Sequence, residues 1–488
     1  MSHTEASRFT GGTEATRPPI PDPIRPLPAR TAAAVVAEVL VPLIARGLII
    51  RRPRALRALA LIDADRRAVE RLRSVRATHG PGPVLVKLPL RNLALILTGG
   101  DARRVLDGSP EPFTPANREK RAALARFEPH GVLIAPLSER PRRRVFNERA
   151  LETGKPVHGC APRLIEHVTA EADALLGHTR ITRDLGWEEF QQAFNRIVRG
   201  VVLGDTAVAD QELSDQLNAL RRDANWAYLR PPRRARRERF LAHLQTYLER
   251  PDPAALSGHI AAVAGTGADA VQEAVDQVPH WLFAFDAAAI ASFAALALLS
   301  THAGELSAAR AEIERSASGG TPPELPFLRA CVLEVLRLWP TTPALLRDAG
   351  EETDWPAGRL PRGSTALIFA PLFHRAVTLQ PDADTFSPER WLDLTGDGTH
   401  TDDSDPRTTL VPFSAGAGRC PARELVLLVT SQLLARLLEL GEYELTGPLA
   451  GRLAPDRPLP TTLDHFRLAF RTRPREHADH RQTERTAL

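Results

Sequence analysis

The chain has 488 residues, is 43% hydrophobic and 25% charged, and carries a formal charge of only +4. A chain of that length and composition buries ample core without covalent staples. Its three cysteines, Cys160, Cys331 and Cys420, are odd in number and far apart, which argues against a disulfide framework and fits a reducing compartment. The positive charge is almost all arginine, clustered at Arg51-Arg52, at Arg140 with Arg142 to Arg144, and at Arg233 to Arg239. No nucleic-acid-binding motif accompanies these clusters; they read as solvated basic faces or as a docking face for an acidic partner.

The first residues are polar and then proline-rich, with no apolar signal core, so residues 1–31 are expected to form a disordered tail. The apolar stretch Ala32 to Ile50 contains Glu38, Pro42 and Arg46. Those residues are costly inside lipid and favour a soluble helix over a membrane span. "PVLVKLPLRNLALILTG" alternates and predicts a hairpin of strands. From about residue 158 to 320 the pattern is helical, with joints near Arg230-Pro231-Pro232 and Ser316 to Pro323. Strand signals return at Ser364 to Ala370 and at Asp464 to Thr472, and an acidic, glycine-dotted loop lies between Asp393 and Thr409. The expected architecture is mainly α with small β-sheets (α+β), as one large domain over residues 32–475, followed by a polar tail over 476–488.

Three segments carry chemistry. In "LPFLRACVLEVLRLWP", Glu334 and Arg337 are three apart and share one helical face. Downstream, Phe386, Pro388, Glu389, Arg390 and Trp391 form a rigid turn with a second arginine. Then follows "PFSAGAGRCPARELVLL", which places Cys420 between a glycine-rich turn and a long apolar helix. In this order the three segments resemble the cytochrome P450 family of haem-thiolate monooxygenases, and the resemblance extends over roughly residues 55 to 472.

The resemblance implies one large haem-binding domain with Cys420 as the axial iron ligand. Glu334, Arg337 and Arg390 would lock together behind the haem, where a buried carboxylate shared by two arginines must be fully satisfied. Phe413 would shield the thiolate, Gly416 would permit the tight turn, and Ala422 would let the following helix approach the cofactor. Arg347, Arg140 and Arg144 are candidate partners of the haem propionates. Two positions depart from the family pattern: Gly418 stands where an arginine or histidine is usual, and Pro421 lacks an N–H for the thiolate.

The apolar run from Trp281 to Leu299, read as a helix beginning at Pro279, aligns with the family's helix across the distal haem face. It keeps the acid as Asp286 but has Ala287 where the family has threonine, and alanine supplies no hydroxyl. Asp286 and Ala287 are the candidate catalytic positions. The expected function is hydroxylation or epoxidation of a small organic substrate in secondary metabolism, using haem b, dioxygen and two electrons. The stretch after Cys420 is short and holds no further cysteine, so the electrons are expected from a separate ferredoxin and its reductase. A cytoplasmic monomer without nucleic acid or a transmembrane span is the matching expectation. Ala287 leaves open a peroxygenase or oxidative coupling catalyst, and a non-catalytic haem-binding helper is the remaining alternative. Substrate choice is expected to lie in Ala122 to Ala135, between Asn218 and Thr246, and in the strand after Leu345, with Phe283 and Phe285 either narrowing the pocket or filling the core.

Overall fold

The computed structural model describes residues 22–89, 91–317, 322–376, 382–392 and 410–475. Helices α1 (Ala29–Val35) and α2 (Val41–Ala45) are joined by a π-helical turn, and α3 (Pro53–Leu61) and α4 (Ala64–His79) follow. The hairpin β1 (Val84–Leu88) and β2 (Arg91–Ile96) leads to α5 (Gly99–Asp107), β3 (Phe113–Thr114), α6 (Arg118–Leu124) and α7 (Arg140–Ala150). A helical half comes next: α8 (Ala161–Thr182), the short β4 (Asp184–Gly186), α9 (Trp187–Leu203), α10 (Gln211–Ala224), α11 (Arg234–Glu249), α12 (Leu256–Ala264), α13 (Ala268–Thr301), α14 (Ala303–Ser316) and α15 (Pro326–Leu338). The chain closes with β5 (Ala344–Ala349), β6 (Thr353–Trp355), β7 (Gly358–Leu360), β8 (Thr365–Phe369), α16 (Ala370–His374), α17 (Arg423–Leu440), β9 (Gly441–Thr446) and β10 (Ala469–Pro474).

Local chemistry explains several boundaries. Thr98, Asn117 and Asp210 each accept a backbone N–H with the side chain and start α5, α6 and α10. Pro326 opens α15, where a missing N–H costs nothing. The five-stranded sheet has the order β1-β2-β8-β5-β3, and a second sheet has the order β4-β10-β9. One apolar core surrounds the larger sheet and a second fills the helical half, centred on α13. With 34 residues at ~1.5 Å each, α13 is roughly 51 Å long. It packs on α9, α11, α15 and α17. By length and composition it could cross a membrane, yet 72% of its most apolar window is buried within the protein.

Three expectations change. Residues 22–31, read as part of a disordered tail, are docked: Ile24 and Leu27 are buried, and their amides donate to Arg359 O at 3.0 Å and Leu85 O at 2.7 Å. The helix expected to begin at Pro279 begins at Ala268 and carries Pro279 in its interior. Its first turns were masked by polar residues that are nevertheless buried, such as Gln277, which accepts from Val132 N at 3.0 Å. The final strand starts at Ala469, after a single 3-10 turn over His465–Arg467. The tails at 1–21 and 476–488 and the acidic loop from Asp393 to Thr409 lie outside the described residues.

Candidate functional site

Glu334 and Arg337 lie one turn apart on α15 and are wholly covered. Arg337 binds the carboxylate through two atoms, each at 2.8 Å. Arg390 Nε at 3.1 Å, Trp391 Nε1 at 2.9 Å and the Ser387 amide at 3.0 Å donate to the same carboxylate. Arg337 spends its remaining N–H groups on the carbonyls of His374, Ala383 and Thr385. Every strong donor and acceptor at this buried pair is satisfied, which is the condition for keeping such charges in a core. His374, passed over in the sequence, ties this network to the cysteine loop: its Nε2 accepts from Val411 N at 3.1 Å. Burial, and then the nearby Arg337, push the His374 pKa down to about 3, so the ring is a neutral acceptor.

The loop before α17 holds Cys420. Its amide donates to Phe413 O at 2.9 Å, and Phe413 packs against the helical core. Gly416 has φ of +60°, and a Cβ there would lie 2.4 Å from Leu106 O at the end of α5. Only glycine fits that turn. Burial raises the Cys420 thiol pKa, while the Ala422 N–H and the charges of Arg144, Arg419 and Arg423 pull against it. Pro421 therefore removes one donor, and Ala422 at the cap of α17 supplies another.

Arg347, on β5, is buried and reaches the same loop. Its Nε donates to Ser109 Oγ at 3.0 Å and its Nη2 to Ser414 Oγ at 3.2 Å. Burial first, and then Arg140, push its pKa down to about 10. Burial and repulsion from Arg347 and Arg140 bring the half-buried Lys120 down to about 7. Arg140 donates to Val132 O at 2.8 Å. The neighbouring acid, Asp348, is already engaged by Thr365 Oγ1 and the Arg118 amide. Among the described residues no free carboxylate faces Arg347 and Arg140, an arrangement that suits a bound anion.

Arg144 stays close enough to Arg140 for the two charges to repel. It donates to Arg419 O at 2.8 Å and to Glu148 at 2.6 Å, so it supports the cysteine loop from α7. A helical step of four residues places Arg140 and Arg144 on one side, and their long side chains take separate partners. Lys120 was missed because it lies far away in sequence, on α6, and its role depends on tertiary neighbours.

On α13 the expected acid is present with a partner. Asp286 forms an ion pair with Arg221 of α10. A cavity of about 20 Å³ lies beside the pair, lined also by Asn195, Ser214 and Asn218. That is room for about one water. Ala287 follows, and nearby Ser292 is buried and donates to Ala288 O at 2.9 Å, so its hydroxyl does not replace the missing threonine. Phe283, Ala284, Ala287 and Ile290 are only partly covered, whereas Ala291 to Leu299 are buried. Phe285 is core, packed near Phe194, while Phe283 borders the open face.

These features fit a thiolate-ligated, dianionic macrocycle. A cysteine stands in a glycine-permitted turn, cations without a carboxylate partner among the described residues lie beside it, and a helix of small apolar residues leaves one stripe partly uncovered. Residues 272–447 match the family model "Cytochrome P450", a range that holds most of α13, the Glu334 network and Cys420. Over the whole fold, the retinoic acid bound cyanobacterial CYP120A1 superposes with a TM-score of 0.66 at 18% identity, covering 83% of this chain and 94% of that one. A second cytochrome P450, CYP102L1, gives 0.62 at 19% identity, covering 83% and 98%. In sequence, the cyclooctat-9-en-7-ol 5-monooxygenase of Streptomyces melanosporofaciens is 30% identical over 34% of this chain and 36% of its own length. The ferruginol synthase of Salvia pomifera is 35% identical over 26% and 27%. The drimenol monooxygenase of Persicaria hydropiper is 29% identical over 32% and 31%. The chain thus spans about a quarter to a third of the length of the curated relatives it matches.

The fold is that of the cytochromes P450, and the segment bearing the cysteine loop has the family's own pattern. Residues 272–447 thus match the cytochrome P450 family in sequence, and the chain as a whole shares that family's fold.

Proposed function

We propose that this chain is a haem-thiolate monooxygenase that places one atom of dioxygen into an organic substrate, the other leaving as water with two electrons and two protons. The observation that carries the reading is the Cys420 loop: its backbone N–H donates to Phe413 O and the Ala422 amide reaches its thiol, next to the anion site of Arg347 and Arg140. Cys420 would ligate the iron, and Arg347 and Arg140 would hold the propionates. When bound, the haem would supply the centre where dioxygen is activated, and thiolate ligation by Cys420 would favour O–O cleavage. Asp286, with Arg221 beside it, is the group of this chain placed to pass protons from the small cavity toward Ala287. Phe283, Ala284 and Ala287 form an apolar surface against which a substrate is oriented and bulk water excluded.

We assign the electron supply to a separate ferredoxin with its reductase. Arg144, Arg419 and Arg423 lie around Cys420 and suit an acidic partner. The relatives' names are consistent with a role in secondary metabolism, and a cytoplasmic, monomeric enzyme is the matching setting. Turnover in labelled dioxygen tests the reading: the product should carry one labelled oxygen, and a product without label would contradict it.

A second reading rests on Ala287. Without a hydroxyl beside the oxygen site, peroxide-driven oxygen transfer or oxidative coupling becomes competitive. Product formation from hydrogen peroxide alone, at a rate matching the electron-supported one, favours it.

A further inference from the structure

One polar pair on α13 is used by nothing described so far. His280 lies one turn before Phe283 and Ala284, and two before Ala287, on the same side of the helix. Like them it is only partly covered, so the open stripe carries an imidazole at its head. His280 Nδ1 is 3.0 Å from both oxygens of Glu128. The Glu128 side chain is completely covered, whereas 22% of the His280 side chain is open. Glu128 follows Phe127, whose ring meets Phe283 edge-on at 5.4 Å, and Phe283 in turn meets His280 at 5.6 Å. The loop after α6 therefore fixes the imidazole in place.

Burial opposes a charge on His280, but Glu128 outweighs it, so the ring holds its proton more tightly than an ordinary histidine. With Nδ1 turned to Glu128, Nε2 is left as a donor, and among the described residues nothing accepts from it. Lys120 is close enough to repel His280, and its ammonium likewise meets no acceptor among the described residues. Two propionates would offset Arg347 and Arg140. They would leave His280 and Lys120 as donors facing no acid that is free to receive them.

We propose that the partly uncovered stripe of α13 selects substrates bearing a carboxylate, which His280 Nε2 and Lys120 hold while the apolar body lies along Phe283, Ala284 and Ala287. The inference rests on reading α13 as the helix over the cofactor, and it names the substrate class of that site. A charge-assisted donor pair discriminates strongly between an acid and its ester, because the ester offers no charge to two desolvated cations.

The test is a spin-state titration of the haem-loaded full chain with three matched pairs: dodecanoate, 4-phenylbutanoate and retinoate, each against its methyl ester. At least one acid should bind about tenfold or more tightly than its ester, a difference of ~1.4 kcal/mol. In His280→Phe and in Lys120→Met that ratio should fall to near one, with the reduced carbon monoxide spectrum unchanged. If His280→Phe does not load haem, Lys120→Met and His280→Gln carry the comparison. Equal binding within all three pairs, no response to any acid, or a preference that survives the substitutions would each overturn the inference. A wild-type protein without the thiolate spectrum would instead overturn the underlying haem-thiolate reading.

Discussion

A Cβ on Gly418 would stand 2.9 Å from Arg347 Nη2, so the guanidinium occupies the space where the family usually places a basic side chain. The departure at position 418 and the position of Arg347 are two sides of one packing solution. Gly418→Arg should push Arg347 away from Ser109 and Ser414, at a cost of roughly 1–3 kcal/mol in buried hydrogen bonds. The expected outcome is a several-fold lower haem content per chain. Unchanged haem content and unchanged melting would show that Arg347 is dispensable there.

Glu334 accepts from Arg337, Arg390, Trp391 and the Ser387 amide. Glu334→Ala leaves two arginines buried without a counter-charge, a loss of about 3–5 kcal/mol. The variant should express poorly and bind little haem, with Glu334→Gln between it and the parent. A haem-replete Glu334→Ala protein of normal stability would contradict a structural role for the network.

Ala287→Thr restores the hydroxyl that α13 lacks, at a helix-propensity cost of roughly 0.7 kcal/mol or less. If oxygen activation is limited by that group, the variant should convert a larger share of its reducing equivalents into product. Asp286→Asn should slow electron-supported turnover and leave peroxide-supported turnover nearly unchanged. Equal losses in both assays would remove Asp286 from proton delivery.

Acid should weaken the fold through its buried histidines. Burial, and then Arg337, lower His374 to about 3, and burial, and then Arg51, lower His465 to about 3. Each is neutral in the folded chain but protonates near 6.5 when unfolded. Their stabilisation is complete above pH 6.5 and is lost as pH falls toward 3, by about 1.4 kcal/mol per pH unit for each. His465→Phe keeps an aromatic ring against Trp187, which the imidazole meets edge-on at 4.6 Å. Denaturant unfolding of that variant at pH 7 and pH 5 should show a smaller loss than the parent, and an identical loss would exclude His465 as a contributor.

The parts legible in the sequence are those whose chemistry is local. Glu334 and Arg337 are one turn apart, and Gly416 and Cys420 share one loop, so spacing and residue type sufficed. The β1–β2 hairpin was legible for the same reason. What escaped depends on distant partners. Ile24 and Leu27 look like tail until Arg359 and Leu85 receive them. Pro279 resembled a helix start because Glu273 and Gln277, polar yet buried, broke the apolar rhythm before it. Lys120, Glu128 and His280 come from two segments about 150 residues apart, and no local pattern joins them.

The most direct test of the central claim is the difference spectrum of the reduced, carbon monoxide-bound chain. Cys420 as axial thiolate predicts the long-wavelength Soret band that gives the family its name, and its loss in Cys420→Ser. A parent protein that takes up haem but lacks that band, or a Cys420→Ser variant that retains it, would contradict the account.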